Sequence, residues 1–260
     1  MEYLNAHYLG PQLLFIMFIV AIVAGFVDAI AGGGGLIAMP AFLLAGVPPI
    51  TALGTNRLQA SIGELTSIVV YKRRGLLIQE GLLKGAAWTG FGAVIGSISA
   101  SIMTKEALEI MLPALMVCIL LYTVFSKRIR ENTPQKKILS PATFMCVMGI
   151  ILGFYNGFFG PGTGSLWVVA FVSLMGATIK QASIYTKPLN FTSNIVSLAY
   201  FIFIGKVIFL LGGIMALGQI IGAAAGSKLV VKNGEKVVRP FFILVVSAMT
   251  IKLIWQTWLA

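Results

Sequence analysis

The chain has 260 residues, 58% of them hydrophobic and only 10% charged, with a mean hydropathy of +0.95. A soluble domain carries roughly 25% charged residues, so this chain cannot cover itself against water and most of its surface must face lipid. The net charge of +11 does not point to nucleic acid, because the cations fall in short loops and no soluble extension is left to carry such a module.

Met1–Gly10 holds one acid, no Lys or Arg, and the only histidine, His7. It lacks the basic start of a signal peptide, so the first apolar run is expected to stay as an anchor. Runs of spanning length, about 20 residues, occupy Pro11–Ala31, Gly81–Met103, Ala107–Phe125, Pro141–Phe159, Val207–Gly226 and Pro240–Leu259. Without water in the bilayer core they must be helices that satisfy their own backbone. Inside the first stretch Asp28 is followed by Gly32, Gly33, Gly34 and Gly35, then a short apolar piece, Leu36 to Val47. A helix from near Thr51 to Lys72 follows and carries Arg57. Ser126–Ser140, with five cations and one acid, is the longest polar stretch. Beyond it Asn156 is followed by Gly160, Pro161, Gly162, Thr163 and Gly164, a short piece Ser165 to Ala177, and a helix carrying Lys187. Cys118 and Cys146 lie inside apolar runs and make no disulfide framework.

The second half repeats the first at a shift of about 130 residues. Gly25-Phe26 matches Gly153-Phe154, Ala52 matches Ala182, and Gly92, Gly96 and Ser97 match Gly222, Gly226 and Ser227. The expected fold is an all-α, polytopic membrane domain of two repeats, residues 1–131 and 138–260, joined by a cytoplasmic linker, 126–140. Each repeat has about five segments, one of them a short helix broken off by glycine. If the short segments cross, Lys72, Arg73, Arg74, Lys84, the linker cations, Lys180, Lys228, Lys232, Lys236 and Arg239 share one side. Lys105, Lys206 and Lys252 fall on the other. That distribution favours ten crossings over eight, both termini outside, and an upside-down second repeat. Small residues at four-residue spacing, Gly92/Gly96/Ala100, Gly149/Gly153/Gly157 and Gly218/Gly222/Gly226, fit close helix packing. Packing within one protomer is the plainer reading; a homodimer seam is the alternative.

Enzymatic sets are sparse. His7, the only histidine, sits in the short N-terminal segment, so no His-based triad or multi-His metal site is expected, and the carboxylates set deep inside spans, Asp28 and Glu64, lie in different elements. The glycines match neither G-x-G-x-x-G nor G-K-[ST]. No metal, cofactor or catalytic role is assigned. Paired, interrupted apolar segments at matching places in two halves instead mark a transporter's binding site. Arg57 is roughly 20 Å from the Lys72 end of its helix. A lipid-facing charge at the bilayer centre costs at least about 2.5 kcal/mol, so Arg57 and Lys187 are expected to face the interior, with snorkelling as the alternative. Thr55, Asn56 and Gln59 flank Arg57; Thr186, Asn190, Thr192, Ser193 and Asn194 flank Lys187. Inversion is expected to bring the two cations toward each other, with a small anion between them and with Gly32–Gly35, Gly160, Gly162, Thr163 and Gly164 offering backbone contacts. Asp28 is a candidate coupling acid, a static partner for Arg57, or a cap on the short segment after it. Glu64, seven residues from Arg57, is placed for contact with it and aligns with Asn194.

At D-A-I-A-G-G-G-G (Asp28–Gly35), T-N-R-L-Q (Thr55–Gln59), G-F-Y-N-G-F-F-G (Gly153–Gly160) and the Lys187, Asn190, Ser193-Asn194 stretch, the sequence resembles the TauE/SafE sulfite-exporter-like family of membrane permeases. The motifs occur in order in both halves, and the resemblance covers essentially the whole chain. It implies transport of small, often sulfur-containing anions, such as sulfite or sulfonates, across the bacterial inner membrane. It also implies Asn56, Arg57, Gln59, Lys187 and Asn190 as substrate-site positions; lysine is common where Arg57 stands, and Glu64 lies outside the family motif. The leading expectation is a secondary active anion permease working by alternating access. A passive anion channel, or a membrane-embedded enzyme or scaffold, are the alternatives.

Overall fold

The computed structural model describes residues 10–77, 81–104, 106–108, 110, 111, 114 and 137–233. Eight helices are delimited among them: α1 Pro11–Ala31, α2 Gly34–Leu44, α3 Pro49–Arg73, α4 Leu82–Ser101, α5 Pro141–Phe158, α6 Thr163–Met175, α7 Ile179–Phe203 and α8 Phe209–Asn233. The run predicted at Ala107–Phe125 lies largely outside the described residues, as does most of the Ser126–Ser140 linker; Pro240–Leu259, His7 and Cys118 lie wholly outside them.

Helices α1, α5 and α8 are both long and apolar enough to cross a membrane. The 25-residue α3 and α7 are each about 38 Å long at 1.5 Å per residue, more than the ~30 Å of a hydrocarbon core. Polar side chains in their middle stretches, such as Asn56, Arg57, Gln59, Lys187 and Asn190, are buried in the bundle, whereas large apolar ones across the molecule, such as Phe15, Leu83, Ile102 and Phe203, point outward. Such an inside-out pattern suits a lipid solvent.

Inter-helix contacts fix the direction of each helix. Gly218, Gly222 and Gly226 lie in turn against the α1 backbone at Phe18, Ile22 and Phe26, so α8 runs parallel to α1. Helix α3 joins this set: Gly25 and Gly63 both abut Gln219, and the Tyr71 hydroxyl donates to the Ala29 carbonyl. Gly149, Gly153 and Gly157 step along α4 at Trp88, Thr89 and Ala93, making α5 parallel to α4. Gly90 against Thr192 and Val196, with Ser101 bonded to Tyr200, puts α7 in the same direction. Two sets of three, α1/α3/α8 and α4/α5/α7, therefore run oppositely, since Arg57 meets Asn194 while Glu64 meets Asn190. The short α2 and α6 fold back along α1 and α5. Backbone bonds from Ile138 and Leu139 to the Leu174 carbonyl bring the end of α6 to the start of α5. All three small-residue stripes are spent on seams within the protomer.

The two helix breaks meet. Gly32, at φ 72°, has left-handed backbone that glycine adopts without strain, and a Cβ there would lie 2.7 Å from the Ser165 nitrogen and equally crowd Gly164. A Cβ on Gly164 would in turn lie 2.7 Å from the Gly32 carbonyl oxygen. Backbone packs on backbone here, and no side chain fits.

Candidate functional site

A helix that ends inside a membrane bundle leaves its last four carbonyls without intrahelical partners, and unsatisfied carbonyls there cost several kcal/mol each. Side chains from other helices satisfy the end of α1. Lys187 Nζ donates to the Asp28 carbonyl at 2.5 Å, Tyr71 to Ala29 at 3.1 Å, Ser183 to Ile30 at 3.2 Å and Ser165 to Ala31 at 3.1 Å. At the end of α5, Arg57 Nη2 donates to the carbonyls of Asn156 and Gly157. These carbonyls carry the negative end of each helix dipole, which favours a cation. Each predicted cation thus caps the broken helix of the opposite half.

The side chains at the breaks follow the same exchange with different chemistry. Lys187 Nζ lies 2.8 Å from Asp28 Oδ2 and 3.4 Å from Glu64 Oε2. Arg57 Nη1 donates to Asn156 Oδ1 at 2.7 Å and to Asn194 Oδ1 at 3.0 Å. Asp28 corresponds to Asn156 and Glu64 to Asn194, so one half-site is ionic and the other is built of amides. Arg57 has no carboxylate within ion-pair distance among the described residues, and its Nε has no hydrogen-bond partner. Both cations are 1% exposed, which excludes snorkelling. Gly160, at φ 95°, leaves room for the guanidinium: a Cβ would sit 2.8 Å from Arg57 Cζ.

One polar chain links the half-sites. Asn190 Nδ2 donates to Glu64 Oε1 at 3.1 Å, Ser193 Oγ donates to the Asn190 carbonyl at 3.0 Å, and Asn156 Nδ2 donates to Ser193 Oγ. Asn156 Oδ1 then accepts from Arg57, which closes the path from Asp28 through Lys187, Glu64, Asn190 and Ser193.

The predicted residues divide between this chain and a second one. Arg57, Lys187, Asn190 and Asn194 belong to the first. Gln59 faces α8 instead, accepting from Gln219 Nε2, and its own Nε2 donates to Asn56 Oδ1 at 2.6 Å. Asp28 partners Lys187 rather than Arg57, and also caps α2 through the Gly34 N–H at 3.0 Å. Its counterpart Asn156 accepts from Thr163 Oγ1 at 3.2 Å across the second break. Glu64 turns to Lys187 and Asn190, not to Arg57. Lys187 is therefore neutralised by carboxylates of the other half, whereas the sequence reading set it opposite Arg57 across an anion. Gly32 and Gly164 pack on each other, Gly35 packs on Pro161, and Gly33 opens α2 as Gly162 opens α6. Sequence reasoning set Ser193 among the polar neighbours of Lys187 without a partner, and assigned no site role to Tyr71, Ser183 or Gln219. Asn156 did carry a signal, as the amide aligned with Asp28. Among the described residues no cluster of three or more His, Cys, Asp or Glu could hold a metal ion.

The sequence profile of the family described as "Sulfite exporter TauE/SafE" matches residues 17–253. The chain is 38% identical over 258 residues to "Probable membrane transporter protein YfcA" of Escherichia coli strain K12, covering 99% of this chain and 96% of that protein. It is 39% identical over 246 residues to "Probable membrane transporter protein ORF9" of a Sinorhizobium species, covering 95% and 94%. A "Probable membrane transporter protein" of Haemophilus influenzae is 38% identical over 251 residues, covering 96% and 98%. Family match and apolar helices agree, and the chain belongs to the sulfite exporter TauE/SafE family of membrane transporters.

Proposed function

We propose that the chain is a secondary active permease for small, sulfur-containing oxyanions such as sulfite or sulfonates, with Arg57 as the anion-binding cation. The observation that carries this reading is the Arg57 nest: a buried guanidinium held by neutral oxygens, one N–H unpartnered, and no carboxylate in reach among the described residues. An oxyanion that replaces those amide and carbonyl oxygens exchanges neutral acceptors for a charged one. Charge-assisted bonds are roughly twice as strong as neutral ones, and guanidinium grips two oxygens at once. The ionic half-site is already neutralised and offers no comparable attraction.

Alternating access follows from two halves that lock into each other's helix breaks. The opposed helix sets support an inverted pair of repeats, residues 1–131 and 138–260, with five segments each. Rocking one half about the Gly32–Gly164 contact would expose the Arg57 nest to each side in turn. Lys72, Arg73, Arg74, Lys84, Lys137, Lys180, Lys228 and Lys232 gather at one end of the bundle, and Lys206 sits at the other. By the positive-inside rule the first end is cytoplasmic and both termini are outside, in a bacterial inner membrane.

Uptake of sulfite, thiosulfate, sulfoacetate, taurine and acetate into proteoliposomes tests the reading. Saturable uptake of a sulfur oxyanion, with counterflow, is expected. Flux that rises linearly with concentration and shows no counterflow would identify a channel instead.

A further inference from the structure

Glu64 is 2% exposed, lies beside a second carboxylate, and shares one lysine with it. The sharing is unequal. Lys187 Nζ gives its short bonds to Asp28, at 2.5 Å to the carbonyl and 2.8 Å to Oδ2, and stands 3.4 Å from Glu64 Oε2. Asp28 Oδ1 also accepts from the Gly34 N–H at 3.0 Å, so both Asp28 oxygens have donors suited to a negative charge. Glu64 has a donor only on Oε1, from Asn190; Oε2 has none. The adjoining Asn190 Oδ1 is likewise buried with no donor. Among the described residues, Tyr71 is the other titratable group facing this cluster, and its hydroxyl donates to the Ala29 carbonyl. One ammonium cannot neutralise two buried carboxylates, and a buried uncompensated charge costs several kcal/mol. A single proton removes the deficit: on Glu64 Oε2 it supplies the missing hydrogen, beside the Asp28 carboxylate that flanks the same Lys187 ammonium.

We propose that Glu64 is a proton-binding site, holding a buried proton against Asp28, and that this proton is the one exchanged when the anion moves. The second half of this proposal rests on the permease reading above. The exit is built in. The Asp28 side chain is 19% exposed, against 3% for Glu64 and 1% for Lys187, so Asp28 is the least buried member of the cluster. The proton leaves Glu64 Oε2 for an Asp28 oxygen, leaving Glu64 ionised beside Lys187, and passes from Asp28 to water. Glu64 ionisation draws on Lys187 and Asn190, and Asn190 leads through Ser193 and Asn156 to Arg57. Proton and anion sites therefore share one hydrogen-bonded path.

Infrared spectroscopy of the full chain in lipid nanodiscs reads the proton without any substrate. At neutral pH a protonated-carboxyl C=O band should shift with carbon-13 glutamate and not with carbon-13 aspartate. It should vanish in Glu64→Gln, and also in Asp28→Asn, where Glu64 becomes the sole counter-ion of Lys187. A band that follows the aspartate label, survives Glu64→Gln, or is absent from the wild-type chain overturns the site; the labelling arm needs no variant to fold. In proteoliposomes, Glu64→Gln should keep sulfoacetate–sulfoacetate exchange and lose the lumenal pH change that accompanies net flux of sulfoacetate, an anion with no group that titrates near neutral pH. A pH change that persists in the variant overturns the coupling. Absence of sulfoacetate flux in the wild-type chain would count against the permease reading alone, with the infrared result still deciding the proton site.

Discussion

Lys187, in the second half, donates to both the carbonyl and the carboxylate of Asp28, at the helix break of the first. Arg57 does the same, in reverse, to Asn156. Each half thus plugs the broken helix of the other, and the chemistry of the two plugs differs. One is an ion pair; the other is a cation among amides.

That difference separates two substitutions that look alike in sequence. Lys187→Gln strips Asp28 and Glu64 of their shared counter-ion, and removing one partner of a buried pair costs about 3–5 kcal/mol. We expect a markedly lower unfolding temperature in detergent, largely restored by adding Asp28→Asn. Equal stability of Lys187→Gln and wild type would mean the ion pair is not formed.

Gly32→Ala and Gly164→Ala each push a methyl group into the facing backbone, and Gly32 also has a left-handed backbone. Overpacking of this kind costs about 1–3 kcal/mol, and the backbone strain adds to it at Gly32. Both variants should unfold at lower temperature than Gly33→Ala, where the nearest atom to a Cβ is the Val27 side chain at 3.7 Å. The ordering Gly33 below Gly32 and Gly164 would contradict the packed break.

Cysteines placed at Asn132 and Asn233 should label from one side of the membrane with an impermeant reagent, and one at Lys206 from the other. Asn233 ends α8 and Lys206 follows α7, so the opposed helix directions put them at opposite ends. Asn132 lies outside the described residues and is placed by its linker's charge alone. Labelling of Asn132 and Asn233 from opposite sides would rule out the ten-segment inverted arrangement.

Much of this was legible in the sequence. The doubled pattern of acid or amide, glycine cluster, short segment and cation located both breaks and both cations, because lipid penalises every such interruption. Partner choice was not legible. Helical periodicity says which residues share a face of α3, but not that Arg57 faces α5 and α7 while Gln59 faces α8. Glu64 was read against Arg57 because both lie on α3, whereas its partners come from α7, well over a hundred residues away. Carbonyl caps such as Tyr71 and Ser183 left no trace, since serine and tyrosine in an apolar run give no sign of which helix end they will meet.

Arg57 is the residue on which anion binding is proposed to depend. Sulfite uptake should be measured in proteoliposomes with wild-type chain and with Arg57→Gln, after confirming that both insert and unfold cooperatively. Loss of a charge-assisted hydrogen bond, about 1.5–3 kcal/mol, predicts saturable wild-type uptake and an apparent affinity roughly 10- to 150-fold weaker in the variant. A well-inserted Arg57→Gln chain that takes up sulfite with unaltered apparent affinity would place the anion elsewhere.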